Sequence, residues 1–242
     1  MLYQEYFSQV NEVLKYVMDT QNEKLESAAK LIADSWEKDG MLYVFGCGHS
    51  HIIGEDLFYR AGGSAAVCAM LDPDLMLHAG AVKSSFYERM TGLAKPIFDR
   101  YQLTQKDVLM VVSTSGINSV PVEMAMCAKE KKIPVIAIVS DAYADDKSRH
   151  PSGKKLCDLA DIAIDNGVCH GDAAVRLNEQ ICIGPISTIS GCMIAQSMMV
   201  QASENMLNNG MTPPTYVSGN LPGGMEKNQA LIDRYTPRNK HL

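Results

Sequence analysis

No two cysteines are spaced C-x-x-C, although the chain carries seven. That spacing excludes the common zinc knots, and an odd count in no regular framework excludes a disulfide scaffold. Cys68, Cys127, Cys182 and Cys192 stand among apolar neighbours, where cysteine acts as a small hydrophobe. No apolar run is long enough to span a membrane. The start, MLYQEYFSQVNE, has neither the basic nor the apolar region of a secretory signal. No block of like charge occurs, and a net charge of −6 gives no basic face for nucleic acid or an anionic membrane. The dinucleotide fingerprint GxGxxG is also missing, because its third glycine would have to replace His51, and no Gly-Lys-Ser/Thr of a Walker loop occurs. These absences point to a cytoplasmic protein that needs no nucleotide cofactor and binds neither nucleic acid nor membrane.

What remains is a chain of 242 residues, 46% apolar and 21% charged, the profile of a globular protein with a substantial core. Apolar residues at Tyr3, Tyr6, Phe7, Val10, Val13, Leu14 and Val17 have helical spacing. A second helix is expected from Asn22 to Trp36, with Leu25, Ala28, Ala29 and Ile32 inside. The rhythm then changes. Uniformly apolar runs at 41–45, 65–70, 107–113, 134–140 and 161–165 alternate with helical stretches, including 50–61 and 119–132. That pattern predicts an α/β, doubly wound, three-layer αβα fold around a five-stranded parallel sheet. A long Met-rich helix is expected at 186–208, and an irregular Pro- and Gly-rich tail with a short helix at 226–235. No repeat or linker divides the chain. One domain is therefore expected over 1–242: N-terminal helices (1–39), an α/β core (40–210) and the tail (211–242).

In such a sheet, ligands bind beyond the carboxyl ends of the strands, where the strand order reverses. An order of 2-1-3-4-5 puts that reversal between the first and third strands. Their exit segments are GCGHS (46–50) and STSGINS (113–119). The second offers hydroxyls on Ser113, Thr114, Ser115 and Ser119, an amide on Asn118, and a turn at Gly116. A helix N-terminus behind it adds free N–H groups and partial positive charge, so a phosphate could be held without lysine. A serine-rich helix cap that binds nothing is the plain alternative.

FGCGHS followed by VVSTSGINS resembles the sugar isomerase (SIS) domain over roughly residues 35–200. GHSHIIGEDLFYRAGG, SGINSVPVEMA, GPISTISG and NQALIDRYTPR are similar to the UPF0309 subgroup of that family, almost over the full length. The resemblance implies a flavodoxin-like sheet, a homodimer or homotetramer, and a phosphosugar bound near the subunit interface. It implies phosphate contacts from Ser113, Ser115, Gly116, Asn118 and Ser119, and from Ser50 with Gly46 and Gly48 shaping the first loop. Asn118 stands where many members have threonine. Phosphoheptose isomerases carry a histidine and a glutamate on the helix after the first loop; the matching positions here are Asp56 and Arg60, so that acid/base pair and its zinc do not carry over.

Aldose–ketose isomerisation needs a base near one carbon and an acid near the oxygens. Glu88 and Glu55 are the candidate bases. Glu88 has the alternative of an exposed helix glutamate, and Glu55 that of a carboxylate offsetting a helix dipole. His49 and His78 are the candidate partners, and His51 and His170 also fall near strand ends. No metal is expected: His49 and His51 are two apart, not a same-face pair. Cys47 has no evident histidine base and is expected to be a packed thiol. The expected activity is phosphosugar isomerisation through an enediol. A non-catalytic phosphosugar sensor and an amino-sugar-phosphate lyase or etherase are the alternatives.

Overall fold

The computed structural model describes residues 1–242. Strands β1 (Leu42–Gly46), β2 (Val67–Ala69), β3 (Val108–Val112), β4 (Val135–Val139) and β5 (Ile162–Asp165) form one parallel sheet in the order β2-β1-β3-β4-β5. Every residue of β1, β3 and β4 is buried. A strand covered on both faces has no polar side, which is why these runs show no alternation.

Two groups of helices cover the sheet. α2 (Asn22–Glu37) lies on β1, β3 and β5, with α8 (Ser187–Asn208) across it and α3 (His51–Leu57) beside α8. α6 (Ser119–Glu130) lies on β3 and β4, flanked by α5 (Ala94–Asp99) and α7 (Leu156–Leu159). α4 (Ala81–Tyr87) follows two short 3-10 turns and sits near the first loop.

α1 (Leu2–Thr20) forms as its spacing predicts, but only Val17 is buried. Tyr3 and Phe7 remain 57% and 64% exposed, so the apolar stripe continues beyond the face that meets the chain's own core. Two phenols moor the helix: Tyr6 donates to the Pro185 carbonyl at 2.8 Å and Tyr16 to the Asp165 carboxylate at 2.8 Å.

The structure differs from expectation in several places, the first being α3, which stops at Leu57 where a helix was expected over 50–61. A small antiparallel hairpin, β6 (Val175–Arg176) with β7 (Cys182–Ile183), lies outside the sheet. Cys182 is on it and exposed rather than packed, while Cys127 and Cys192 are half-buried; all seven cysteines are free thiols. The short helix expected in the tail forms as α9 (Gly224–Tyr235), but the rest of the tail, expected to be irregular, is pinned along its length. Tyr216 accepts from the Gly62 N–H and donates to the Gly63 carbonyl, the Pro214 carbonyl accepts from the Ala65 N–H, Asn239 donates to the Val67 carbonyl at 3.0 Å, and Arg238 reaches the Asp107 carboxylate at 2.6 and 2.7 Å. Polar side chains satisfying buried backbone groups hold this segment, so it leaves little hydrophobic periodicity to read.

Candidate functional site

β1 and β3 are direct neighbours, with Gly46 opposite Val112. Their exit loops therefore leave the carboxyl edge side by side, at the point where the strand order reverses. The first loop folds back sharply. A Cβ on Gly46 would lie 2.5 Å from the Ser50 backbone, so no other residue fits. Gly48 takes φ +57 and opens a 3-10 turn that leads into α3. Ser50 is half-buried, and its hydroxyl has no partner within the chain.

The second loop turns at Gly116, φ +63, whose N–H meets the Ser113 hydroxyl at 3.3 Å. The backbone N–H groups of Thr114, Ser115, Ile117 and Asn118 find no acceptor within the chain. Such donors ahead of a helix N-terminus, with the half-exposed and unpartnered Ser115 hydroxyl among them, form a concavity suited to an anion. The other hydroxyls do less. Ser113 is buried and engaged by Gly116. Ser119 is 0% exposed and its hydroxyl is unpartnered inside the protein, so it does not face the open crevice. Asn118 is buried with both ends of its amide occupied.

Those two ends explain the site. The Asn118 side-chain N–H donates to Glu88 Oε1, and its carbonyl accepts from Arg149 Nη1 at 2.5 Å. Glu88 lies just past α4, half-buried rather than on an exposed helix face. Its backbone carbonyl accepts the Val120 N–H at 3.1 Å, within the first turn of α6. Its Oε2 lies 4.0 Å from where a Gly48 Cβ would stand, as does Leu77 Cδ2. One carboxylate thus touches the second loop and borders the first. Burial pushes this carboxyl above the usual carboxylate range, and Arg89 and Arg149 pull it partly back. Arg149 was not among the residues the sequence singled out. It lies in an exposed basic loop, KSRHPSGKK (147–155), and its position after the fourth strand is the only signal that it could reach the crevice.

The histidines separate. His51 is buried; its Nδ1–H donates to the Gly48 carbonyl, which fixes the tautomer, and its Nε2 lies 3.6 Å from Glu55 Oε1. The His78 ring packs edge-on against His51, with centroids 6.3 Å apart. His49 is exposed and without a partner. His170 lies apart, stacked on Tyr143 and 3.2 Å from Asp146. No three metal-ligating side chains converge anywhere. Cys47 is buried, and burial followed by the charge of Glu88 raises its thiol well above the ordinary range, the environment of a packed thiol. Asp56 and Arg60 pair with each other, and Asp56 also holds Gln196 at 2.8 Å, tying α3 to α8. A hollow of about 610 Å³ lies away from these loops between α1, α2 and α8, lined by Leu14, Val17, Met18, Leu25 and Met193.

Comparison with known proteins agrees with this architecture. The SIS domain family matches residues 5–140, a stretch that both begins and ends earlier than the 35–200 the sequence motifs suggest and takes in both N-terminal helices. A UPF0309 protein of Listeria innocua is 45% identical over 93% of this chain and 92% of its own length. A UPF0309 protein of Caldanaerobacter subterraneus is 43% identical over 98% of both chains. Among solved structures, a phosphoheptose isomerase from Neisseria gonorrhoeae superposes with TM-score 0.55 at 17% identity, covering 82% of this chain and 95% of its own. One from Francisella tularensis gives TM-score 0.56 at 16% identity, covering 84% and 96%. The NanR protein of Vibrio vulnificus, solved with ManNAc-6P, gives TM-score 0.53 at 14% identity, covering 96% and 69%. At such identities these three share the fold alone. Family match and close relatives together place the chain in the SIS domain family, within its UPF0309 group.

Proposed function

We propose that this protein is an aldose–ketose isomerase acting on a phosphorylated sugar, with residues 1–242 as one SIS domain. The observation that carries the reading is the placement of Glu88, a half-buried carboxylate held by the phosphate loop and bordering the glycine turn. The substrate phosphate sits on the free N–H groups of 114–118 and the hydroxyls of Ser115 and Ser50. That fixes the sugar with its reacting carbons towards Glu88. Glu88 takes the proton from C2, giving an enediol, and returns it to C1. Protons on the two oxygens move through a second acid/base group, for which His51 with Glu55, and then His78, stand nearest the first loop.

Phosphosugar sensing is the second reading. Its support is the Asp56–Arg60 pair, which locks the positions where phosphoheptose isomerases carry catalytic groups. Thermal-shift screening with hexose, heptose and amino-sugar phosphates tests binding, and deuterium exchange from solvent at C2 tests chemistry. Exchange supports the isomerase; binding without exchange supports the sensor; a C2 exchange that ends in loss of a substituent identifies a lyase. Ser115→Ala is expected to weaken phosphosugar binding about tenfold, the loss of one hydrogen bond to a charged group. His51→Ala should weaken it less. Equal affinities by titration calorimetry would remove Ser115 from the cradle.

We also place a second copy of the chain on the outer face of α1, where Tyr3 and Phe7 are exposed and, further along the same helix, Leu14 and Met18 line the apolar hollow. Sedimentation at micromolar concentration tests this, and a monomer there contradicts it. Seven free thiols suit a reducing cytoplasm, and no helix is long and apolar enough to cross a membrane.

A further inference from the structure

We propose that Arg149 is a positioning residue for Glu88, acting through the side-chain amide of Asn118; the assignment rests on Glu88 being the base. An asparagine amide has one accepting end and one donating end. A guanidinium only donates and an ionised carboxylate only accepts. With Arg149 Nη1 on Asn118 Oδ1 at 2.5 Å, the NH2 end is directed to Glu88 Oε1. The reverse orientation would set oxygen against carboxylate and NH2 against guanidinium, with both contacts repulsive. Arg149 therefore selects the orientation in which Oε1 is engaged and Oε2 is left beside the Gly48 turn.

Arg149 is largely exposed, and an ordinary surface arginine has no fixed aim. This one is aimed from several directions. Its own N–H donates to the Ile117 carbonyl at 2.8 Å, and that of Leu156 donates to the Gly116 carbonyl at 2.9 Å, so both ends of the loop are sewn to the phosphate loop. The next residue, His150, places Nε2 at 3.5 Å from Glu123 on α6, with both partners largely buried. The Glu123 carboxylate also accepts the Gly92 N–H at 2.8 and 2.9 Å, four residues beyond Glu88. The basic loop, α6 and the segment carrying Glu88 are thus clasped together, and the Arg149–Asn118–Glu88 line runs through the middle of the clasp.

The charged and titratable groups around Glu88 are few. Arg89 follows it in the chain, Arg149 faces it from the loop after β4, and Cys47 faces it from the first loop as a neutral thiol. His51 is bonded to the Gly48 carbonyl and packs against His78. Arg89 is untouched by the test variants, so its contribution cancels in a comparison between them.

The test is an NMR titration of the Glu88 side-chain carboxyl in protein labelled with 13C at glutamate Cδ, its signal assigned by loss in Glu88→Gln. Arg149→Ala is expected to move the Glu88 midpoint upward by about one pH unit, the usual effect of losing a nearby cation and a donor to the ionised form. Asn118→Ala should move it similarly. The double variant should exceed Asn118→Ala only by the small direct pull of the Arg149 charge, because the part relayed by the amide has nothing left to act through. An unmoved midpoint in Arg149→Ala overturns the proposal. So does an Arg149→Ala shift that persists in full on the Asn118→Ala background, which would make Arg149 a direct charge partner of Glu88. Signal dispersion and melting temperature from the same samples report folding, and Arg149→Met on the exposed loop replaces Arg149→Ala if that variant is lost. The titration uses protons alone as its probe. It decides the role of Arg149 even where an exchange assay has already overturned the isomerase reading.

Discussion

Glu88→Gln is expected to reduce deuterium exchange at C2 of a bound sugar phosphate by about 10²–10⁴-fold, the range over which positioned general bases act. The substitution keeps the shape of the side chain and leaves an oxygen to accept from Asn118, so affinity for the sugar phosphate should change little. A loss in the chemical step with binding preserved separates this from collapse of the cradle. The pH dependence carries a second signature. Only the ionised carboxylate abstracts a proton, and burial raises the Glu88 carboxyl above the ordinary glutamate range. The exchange rate should therefore fall as pH is lowered through that raised value, placing the acid limb nearer neutrality than an exposed glutamate would. Full exchange in Glu88→Gln would transfer the role to Glu55, the other carboxylate near the first loop.

Arg238→Ala is expected to cost about 3 kcal/mol of stability while leaving phosphosugar binding intact at 25 °C. Asp107 has a side chain with 0% exposure. Its oxygens accept from the backbone N–H groups of Met41 and Thr104 at 2.8 and 2.7 Å, from the Thr104 hydroxyl at 2.9 Å and from Arg238 at 2.6 and 2.7 Å. Removing the arginine leaves a buried carboxylate without its cation. The low end of the range for a broken buried pair applies because Arg238 is 30% exposed and water can partly replace it. For a chain of this length that corresponds to a melting temperature lower by about 10 °C. The pair sits at the amino edge of the sheet, just before β3, whereas the candidate site occupies the carboxyl edge. Urea denaturation measures the first effect and calorimetric titration the second; an unchanged midpoint would show that the tail is not held by this pair.

The strands and the reversal point were legible because a buried parallel strand needs apolar residues at every position. VLMVV and VIAIV can be little else when helical stretches separate them. The two glycine turns were legible for a related reason: a sharp exit from a strand needs glycine wherever the sequence runs. The partition among hydroxyls was not. Ser113, Ser115 and Ser119 are chemically alike in the sequence, and only the backbone path through Gly116 decides that Ser115 faces outward while Ser119 is sealed. Glu88 stood out for its place between the loops, but its burial depends on Val120 and Asn118, some thirty positions away. Arg149 left only its position after the fourth strand, because long-range polar contacts have no period. The same holds for the tail, where Arg238 and Asn239 act as single residues, and for the hairpin at 175–183, whose strands are only two residues each.

The central claim, that two loops far apart in the chain grip one phosphorylated sugar, is tested most directly by amide chemical shifts. A 1H–15N titration with the sugar phosphate giving the largest thermal shift should move Gly48, Ser115 and Gly116 together, at one common affinity. Movement confined to one loop, or to Leu14, Met18 and Met193 around the apolar hollow, would contradict it.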